Sequence, residues 1–591
     1  MCRIAGIYNA GSTNLEQDIL LMRDSMHRGG PDDAGIFLHP EKPLALGHRR
    51  LALIDLSAAG HQPMASAKGD TQIIFNGEIY NFQELRKELQ SLGHVFKTKT
   101  DTEVILASYA EWGKNCFTRF NGMYALAIWD EPNSEIILAR DHAGMKPLYY
   151  YADNKVLFFA SEVRAFKSLF PRWEGEELWK PLFLLFGHLP EPFTTLKGVE
   201  MLPKGSWMSI HLPTMKREKQ SFSSEGYATK INTREEALEA ARDILPKAVK
   251  RHLISDAPVG LFLSGGIDSS LLTLLAAPIL GDKLSTLSIQ FAEAEYSEEI
   301  YQKMVIDITN AKHQAFRVNQ SDFENHLPDI LEAMDQPSID AINTYFICMY
   351  AKQCGLKAVL SGLGSDELFG GYPSFARFKN WQYLSYFPKG LSKLVERSSN
   401  MKLAKLSYER YHPMLSLYLM NRGLFTVASA CELTGISIQK TEDALSRVKV
   451  PVNVNYQSPN SNAAMEFDLY MKNQLLKDSD FMSMWHGIEV RVPFLDKELV
   501  TAINSIAPEI KFRSDIPKSL LIEAFSTLLP AEIWYRKKQG FTFPFASWLK
   551  KSDQLQPTGK NQQQVFKKFS SGKMHWSRYW AMKVAEMEKF S

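Results

Sequence analysis

Over roughly the first 210 residues, apolar positions fall in short runs suited to β-strands: Ile4–Tyr8, Ile73–Phe75, Tyr124–Trp129, Ile136–Arg140 and Val156–Ala160. Two windows, Asn81–Leu92 and Asp101–Trp112, instead carry the three-to-four-residue spacing of amphipathic helices. This mixture predicts an α+β layered domain. Leu212–Arg234 is polar, charged and weakly periodic, as expected of an interdomain connection. Beyond it the pattern changes to helix Arg234–Arg251, strand Val259–Leu263, a glycine-rich turn, helix Ser269–Ala277, strand Leu284–Phe291, helix Ser297–Asn310 and strand Gln314–Val318. Helical stretches at 323–335 and 343–354 lead to a further buried strand, Ala358–Ser361. Strands alternating with helices predict βαβ units in a doubly wound parallel sheet. From Tyr372 to about 450 the chain is helical and aromatic, and it stays mostly helical to its end.

With 591 residues, 45% hydrophobic and 23% charged, the chain is long enough for two or more cores. A net charge of +2 gives no bulk attraction to nucleic acid or anionic membrane, so neither is an expected partner. No window reaches the roughly 18 apolar residues of a spanning helix, and the N-terminus lacks the sections of a secretory signal, so a cytoplasmic protein is expected. Five scattered cysteines without CxxC spacing exclude a disulfide framework and a structural zinc site; four read as small buried hydrophobes.

The fifth, Cys2, follows the initiator methionine. Removal of Met1 would leave a thiol and a free α-amine on one residue, the amine serving as general base near neutral pH. Cysteine at position 2 also occurs by accident, so the surrounding residues decide. Asn76 and the Gly77 N–H, after the apolar run Ile73–Phe75, could form an oxyanion hole, and an Arg and an Asp could hold an amino-acid substrate. Structurally, Asn-Gly is equally a hairpin turn and Asp101 a helix cap.

The second motif, Ser264-Gly265-Gly266-Ile267-Asp268-Ser269-Ser270, lies between a strand and a helix, where backbone N–H groups and hydroxyls cradle an anion and an Asp can carry magnesium. The third, Ser361 to Tyr372 (SGLGSDELFGGY), closes another predicted strand; both loops should face one crevice, with Asp268 and Asp366 as the Mg²⁺ pair. Arg491–Asp496 (RVPFLD) and Arg536–Phe541 (RKKQGF) follow.

Taken together, these motifs resemble the asparagine synthetase B family: a class II glutamine amidotransferase domain of the N-terminal-nucleophile hydrolase type joined to an ATP-pyrophosphatase synthetase domain. The resemblance implies an αββα sandwich at 1–212, a linker at 213–233 and an α/β doubly wound domain at 234–591, with a helical insertion at about 373–460. It implies that Cys2 attacks the glutamine amide, Asn76 and Gly77 stabilise the oxyanion, and Arg50, Glu78 and Asp101 bind glutamine. ATP, with Mg²⁺, would be held by Ser264, Gly265, Gly266, Asp268, Ser269, Ser361 and Gly362. Ile289 would wall the adenine, and Lys538, with Lys537 as the alternative, would neutralise the adenylate and departing pyrophosphate. Homodimerisation stays open.

Two departures stand out. Arg3 occupies a position that is glycine in the family, and the expectation is that its bulk crowds the nucleophile, so that Arg3→Gly raises glutaminase turnover or leaves it unchanged. Leu363 replaces a glutamate near the acceptor, so any role of that carboxylate must move elsewhere; Glu489 and Asp480 are candidates. Met334–Pro337, Asp340, Asn343 and Thr344 are expected to line the acceptor pocket or to cap loops there. The insertion carries 12 Lys/Arg against 5 Asp/Glu, which suits a bulky anionic acceptor. Three readings follow: aspartate as acceptor, giving asparagine; another carboxylate such as a sugar uronate; or, from another class, a non-catalytic sensor of nucleotide or glutamine. Phosphosugar and phosphoribosyl transferases lack the Ser-Gly-Gly-x-Asp-Ser loop, and a β-lactam-forming relative does not use ammonia.

Overall fold

The computed structural model describes the chain except residues 1, 170, 224–226, 292–297, 378–394, 397, 399, 452–457, 514–515, 537–542 and 591, and the side chains of 560–561. The first domain is built from β1 (Arg3–Asn9), β2 (Asp33–Leu38), β3 (Leu44–Arg50), β4 (Met64–Ala65), β5 (Thr71–Ile79), β6 (Gly122–Asp130), β7 (Glu135–Arg140), β8 (Tyr149–Ala152), β9 (Val156–Ala160), β10 (Glu200–Met201), β11 (Ser206–His211) and β12 (Lys216–Ser221). They form two six-stranded antiparallel sheets, ordered β10-β8-β9-β1-β3-β2 and β12-β11-β7-β6-β5-β4. Ile4, Leu46, Ile74, Ala127 and Trp129 fill the space between them. On the outer face of the first sheet Ile7, Ala45 and Phe158 pack on Ile19 and Met22 of helix Leu15–Asp24. On the outer face of the second, Phe75 and Leu126 pack on helices Phe82–Ser91 and Asp101–Trp112. This is the expected αββα sandwich. Each fully buried large apolar side chain adds about 1.5–3 kcal/mol, which is why the two-residue period of β1, β5 and β6 decides the layering.

Two boundaries differ from the sequence reading. Asn76, Gly77 and Glu78 lie inside β5 rather than after it, because the ladder to β6 continues to Ile79↔Gly122. Gly77, at φ +150°, permits this: a Cβ there would stand 2.0 Å from the Met123 carbonyl oxygen. The stretch assigned to the linker begins with β12, an exposed edge strand (KREKQS) paired on one side only; edge strands are kept polar, which in sequence looks like a connection.

The second domain opens with helix Arg234–His252, whose N-cap Thr233 accepts from the Glu236 N–H. Strands β13 (Val259–Phe262), β14 (Ser285–Phe291), β15 (Lys312–Val318), β16 (Ala358–Leu360) and β17 (Glu489–Arg491) form one parallel sheet ordered β15-β14-β13-β16-β17. Strand order reverses between β13 and β16, so the loops leaving them flank a crevice at their carboxyl ends, the usual ligand position of such sheets. The described part of the insertion is helical: Met401–Ala404, Pro413–Arg422, Val427–Thr434 and Ile438–Arg447.

A single apolar cluster crosses the domain boundary. Helix Trp179–Phe186 of the first domain buries Trp179, Leu182, Phe183 and Phe186 among second-domain residues. Phe186 stacks on Tyr418 (5.5 Å between centroids), Trp179 meets Phe590 (6.0 Å), and the Leu424 N–H donates to the Leu185 carbonyl (2.9 Å). Among the described residues no helix is long and apolar enough to cross a membrane.

Candidate active site

Cys2 sits at the head of β1, buried. Its backbone nitrogen donates to Asn76 Oδ1 (3.2 Å), and the Leu51 N–H donates to its sulfur. Asn76 Nδ2 faces Ser161 Oγ (3.4 Å), which also receives the Ile4 N–H (3.0 Å). Burial pushes the Cys2 thiol up, with the Leu51 N–H and the Arg50 charge opposing. Sequence reading missed Leu51 because a backbone donor leaves no residue-type signal.

Arg50 is buried, donating to the carbonyls of Ser57 (2.8 Å) and Asp55 (2.6 Å), and so shapes the 54–60 loop. Asp101 is the first residue of its helix; the cap is Thr100. Asp101 Oδ2 accepts the Ile79 N–H (3.0 Å), and burial pushes its carboxyl up to about 6. Glu78 pairs with Arg491 (2.5 Å); burial drives its carboxyl well up, with Arg491 opposing.

Arg3 does not crowd the cysteine. Successive residues of a strand point to opposite faces, and the Arg3 side chain, fully buried, runs to Glu162 (2.5 Å) and to Asp480 of the second domain (2.9 Å). Lys146 completes the cluster on Asp480 (2.7 Å). Burial would raise the Asp480 carboxyl, but Arg3 and Lys146 hold it below its ordinary value. Glu489 is likewise taken, by Arg491 (2.5 Å), whose guanidinium also donates to the His252 and Ile254 carbonyls (2.7 Å each). Both carboxylates nominated for the acceptor therefore already hold cationic partners at the domain junction. Asp335 does junction work too, accepting the Val163 and Arg164 N–H groups (2.8 Å each), and Gln336 accepts from Thr195 N–H (3.2 Å).

Across the crevice, Ser264 and Ser269 hydroxyls meet at 3.0 Å, and Ser264 Oγ accepts the Gly266 N–H (3.3 Å). Helix Ile267–Leu280 starts without a side-chain cap on its first N–H groups. Gly362 lies against this loop: a Cβ there would be 2.7 Å from Asp268 Cβ, so only glycine lets Ser361–Leu363 touch it. Ile289 is buried in β14 beside β13. Arg536 donates to the Gly265 carbonyl (3.1 Å), while Lys537 and Lys538 lie outside the described residues.

Between the two loops stands a residue that the sequence did not mark. Lys518, almost fully buried, places Nζ 2.6 Å from Asp268 and 2.6 Å from Asp366. Burial would lower its ammonium, yet the two aspartates hold it up. One cation within reach of both carboxylates shows that their oxygens converge, a pair of hard donors that would suit Mg²⁺ together with phosphate oxygens. The signal was faint: one lysine in a Pro-Lys-Ser turn has the look of a surface cation.

Comparisons with known proteins agree in chain order. Residues 240–564 match the family model described as asparagine synthase, and residues 1–223 that of a glutamine amidotransferase domain. Asparagine synthetase [glutamine-hydrolyzing] 1 of Bacillus subtilis is 31% identical over 565 residues, covering 93% of this chain and 88% of its own. A putative asparagine synthetase of Methanocaldococcus jannaschii is 33% identical over 413 residues, 66% of this chain and 79% of its own. Among solved structures, a glutamine PRPP amidotransferase of B. subtilis is similar over 53% of this chain and 65% of its own, at 17% identity and TM-score 0.29.

Proposed function

Because this chain belongs to the asparagine synthase family and carries its glutamine amidotransferase domain, we propose a two-site reaction in which Cys2 releases ammonia from glutamine and the crevice between the β13 and β16 loops adenylates an acceptor carboxylate, aspartate by preference. The observation that carries this reading is the pairing of Cys2, Asn76 and Gly77 in one domain with two touching phosphate-type loops in the other.

In this reading the freed Cys2 amine takes the thiol proton, the sulfur attacks the glutamine amide carbon, and amide and backbone donors at Asn76 and Gly77 meet the developing oxyanion; as it collapses the C–N bond breaks, the nitrogen takes the proton back and leaves as ammonia, and water then hydrolyses the thioester to glutamate and free Cys2. Asp101 and Arg50 orient the amino-acid head of glutamine. Asp268 and Asp366 would hold Mg²⁺, which supplies neutralisation of phosphate charge when bound. Lys518 exchanges its carboxylate partners for pyrophosphate oxygens, the uncapped helix start at Ile267 cradles the same anion, and Lys538 would steady the adenylate. Ammonia then attacks the acyl carbon and AMP leaves.

Asp268→Asn and Lys518→Met should each cut AMP and pyrophosphate release by about 100-fold or more, with ammonia as with glutamine. ADP and phosphate as products of the natural protein would overturn the adenylation reading. A second expected outcome concerns pH. Asp101 ionises only above about 6, so the partner of the glutamine ammonium is lost as pH falls through that value. Glutaminase kcat/KM, followed as glutamate release, should drop below pH 6; a flat profile down to pH 5 would remove Asp101 from glutamine binding.

A further inference from the structure

The second acid group and the amine of an amino-acid acceptor need partners distinct from the adenylating centre, and two side chains at the rim of the crevice have open valences. Arg422 ends helix Pro413–Arg422 of the insertion. Its Nε is pinned by Glu466 (2.7 Å), whose other oxygen takes the Ser374 hydroxyl (2.6 Å), and its guanidinium lies 3.5 Å from the Tyr470 ring centroid and 4.6 Å from that of Tyr372. Among the described residues neither Nη donates to a protein acceptor, and the side chain keeps 23% exposure. A guanidinium held at Nε and stacked between tyrosines presents a fixed fork of donors, the geometry that captures a carboxylate.

Asp340 precedes helix Ile342–Gln353. That helix runs down into the start of β16, so its first turn lies at the carboxyl end of the sheet, where the Ser264 and Ser361 loops are. Among the described residues the Asp340 carboxylate accepts no hydrogen bond, although its surroundings desolvate it and push it up to about 6; Arg422 is the charge that acts on it in the opposite sense. Among the described residues the two make no ion pair with each other. Tyr372 ties this corner to the adenylation loop, donating its hydroxyl to Glu367 (2.7 Å), four residues after Leu363. Leu363 itself is partly exposed and apolar.

We infer that Arg422 and Asp340 form the head-group subsite of the acceptor, Arg422 taking the α-carboxylate and Asp340 the α-ammonium of an amino acid whose side-chain carboxyl is adenylated. Asp340 thereby fills the vacancy that Leu363 leaves, and the insertion becomes a specificity element through one arginine rather than through its general basic charge. The inference rests on the adenylation reading above.

Three acceptors test it, with ammonium as nitrogen source and AMP release as readout: aspartate, succinate, which lacks the amine, and β-alanine, which lacks the α-carboxylate. The natural protein should favour aspartate over both. Arg422→Gln should lower kcat/KM about 10- to 100-fold for aspartate and succinate while sparing β-alanine, the loss of one charge-assisted carboxylate contact. Asp340→Asn should do so for aspartate and β-alanine while sparing succinate. This crossed pattern cannot come from a fold defect, which lowers all three together. Equal loss on all three, or no loss, would overturn the subsite and leave the adenylation reading standing; AMP release by the natural protein with none of them would overturn both.

Discussion

Replacing Cys2 by alanine should lower glutamine-driven amide formation by about 10⁴-fold or more while the ammonia-driven reaction proceeds undiminished. In the proposed reaction the thiol beside Asn76 is the nucleophile, and among the described residues no hydrogen bond or ion pair joins its side chain to the Ser264 or Ser361 loop. A missing nucleophile cannot be replaced by binding alone. The measurement is amide and AMP formation with each nitrogen source in turn. Loss of both activities in a protein that still folds would refute two separable sites.

The second large effect is at Arg3, where structure reverses the sign expected from sequence. Arg3→Gly should not speed the glutaminase. It removes a cation buried between Glu162 and Asp480, each of which keeps one further cationic partner, Arg164 and Lys146. Breaking a buried pair from one side costs up to about 3–5 kcal/mol; with Lys146 still on Asp480 and Arg164 still on Glu162 the loss falls toward the lower end of that range, still a sizeable part of the roughly 5–15 kcal/mol that keeps a typical domain folded. Because Asp480 belongs to the other domain, the damage falls on the junction. A lowered melting temperature and more glutamate released per AMP formed are expected, since a loosened junction lets ammonia escape. Unchanged stability together with faster glutamine hydrolysis would restore the crowding explanation.

Where the sequence could be read and where it could not follows from the range of the interactions involved. The strand–glycine turn–helix order around Ser264–Ser270 is local, and β13, the helix Ile267–Leu280 and the parallel sheet stand as expected. Helix Asp101–Trp112 was legible to the residue from its apolar spacing. The ends of β5 were not, because Asn76-Gly77 carries a turn signature that the ladder to β6 overrides. The direction of the Arg3 side chain was legible in principle: strand alternation alone turns it away from its neighbour. Its partners were not, since Glu162 and Asp480 lie 159 and 477 positions on. Lys518 and Arg422 share that limit, each becoming meaningful only when distant segments deliver carboxylates or tyrosine rings to it.

The helix Trp179–Phe186 has a bearing on how such a protein can be taken apart. Its apolar face is covered by Tyr418, Leu424 and Phe590, so an isolated first domain would present Trp179, Leu182, Phe183 and Phe186 to water, an exposed patch of the kind that drives aggregation. The ammonia-producing half is thus not an interchangeable cartridge. Grafting it onto another synthetase would require transplanting the partner surface as well, and a change of acceptor is more readily reached by altering the crevice and its insertion than by exchanging halves.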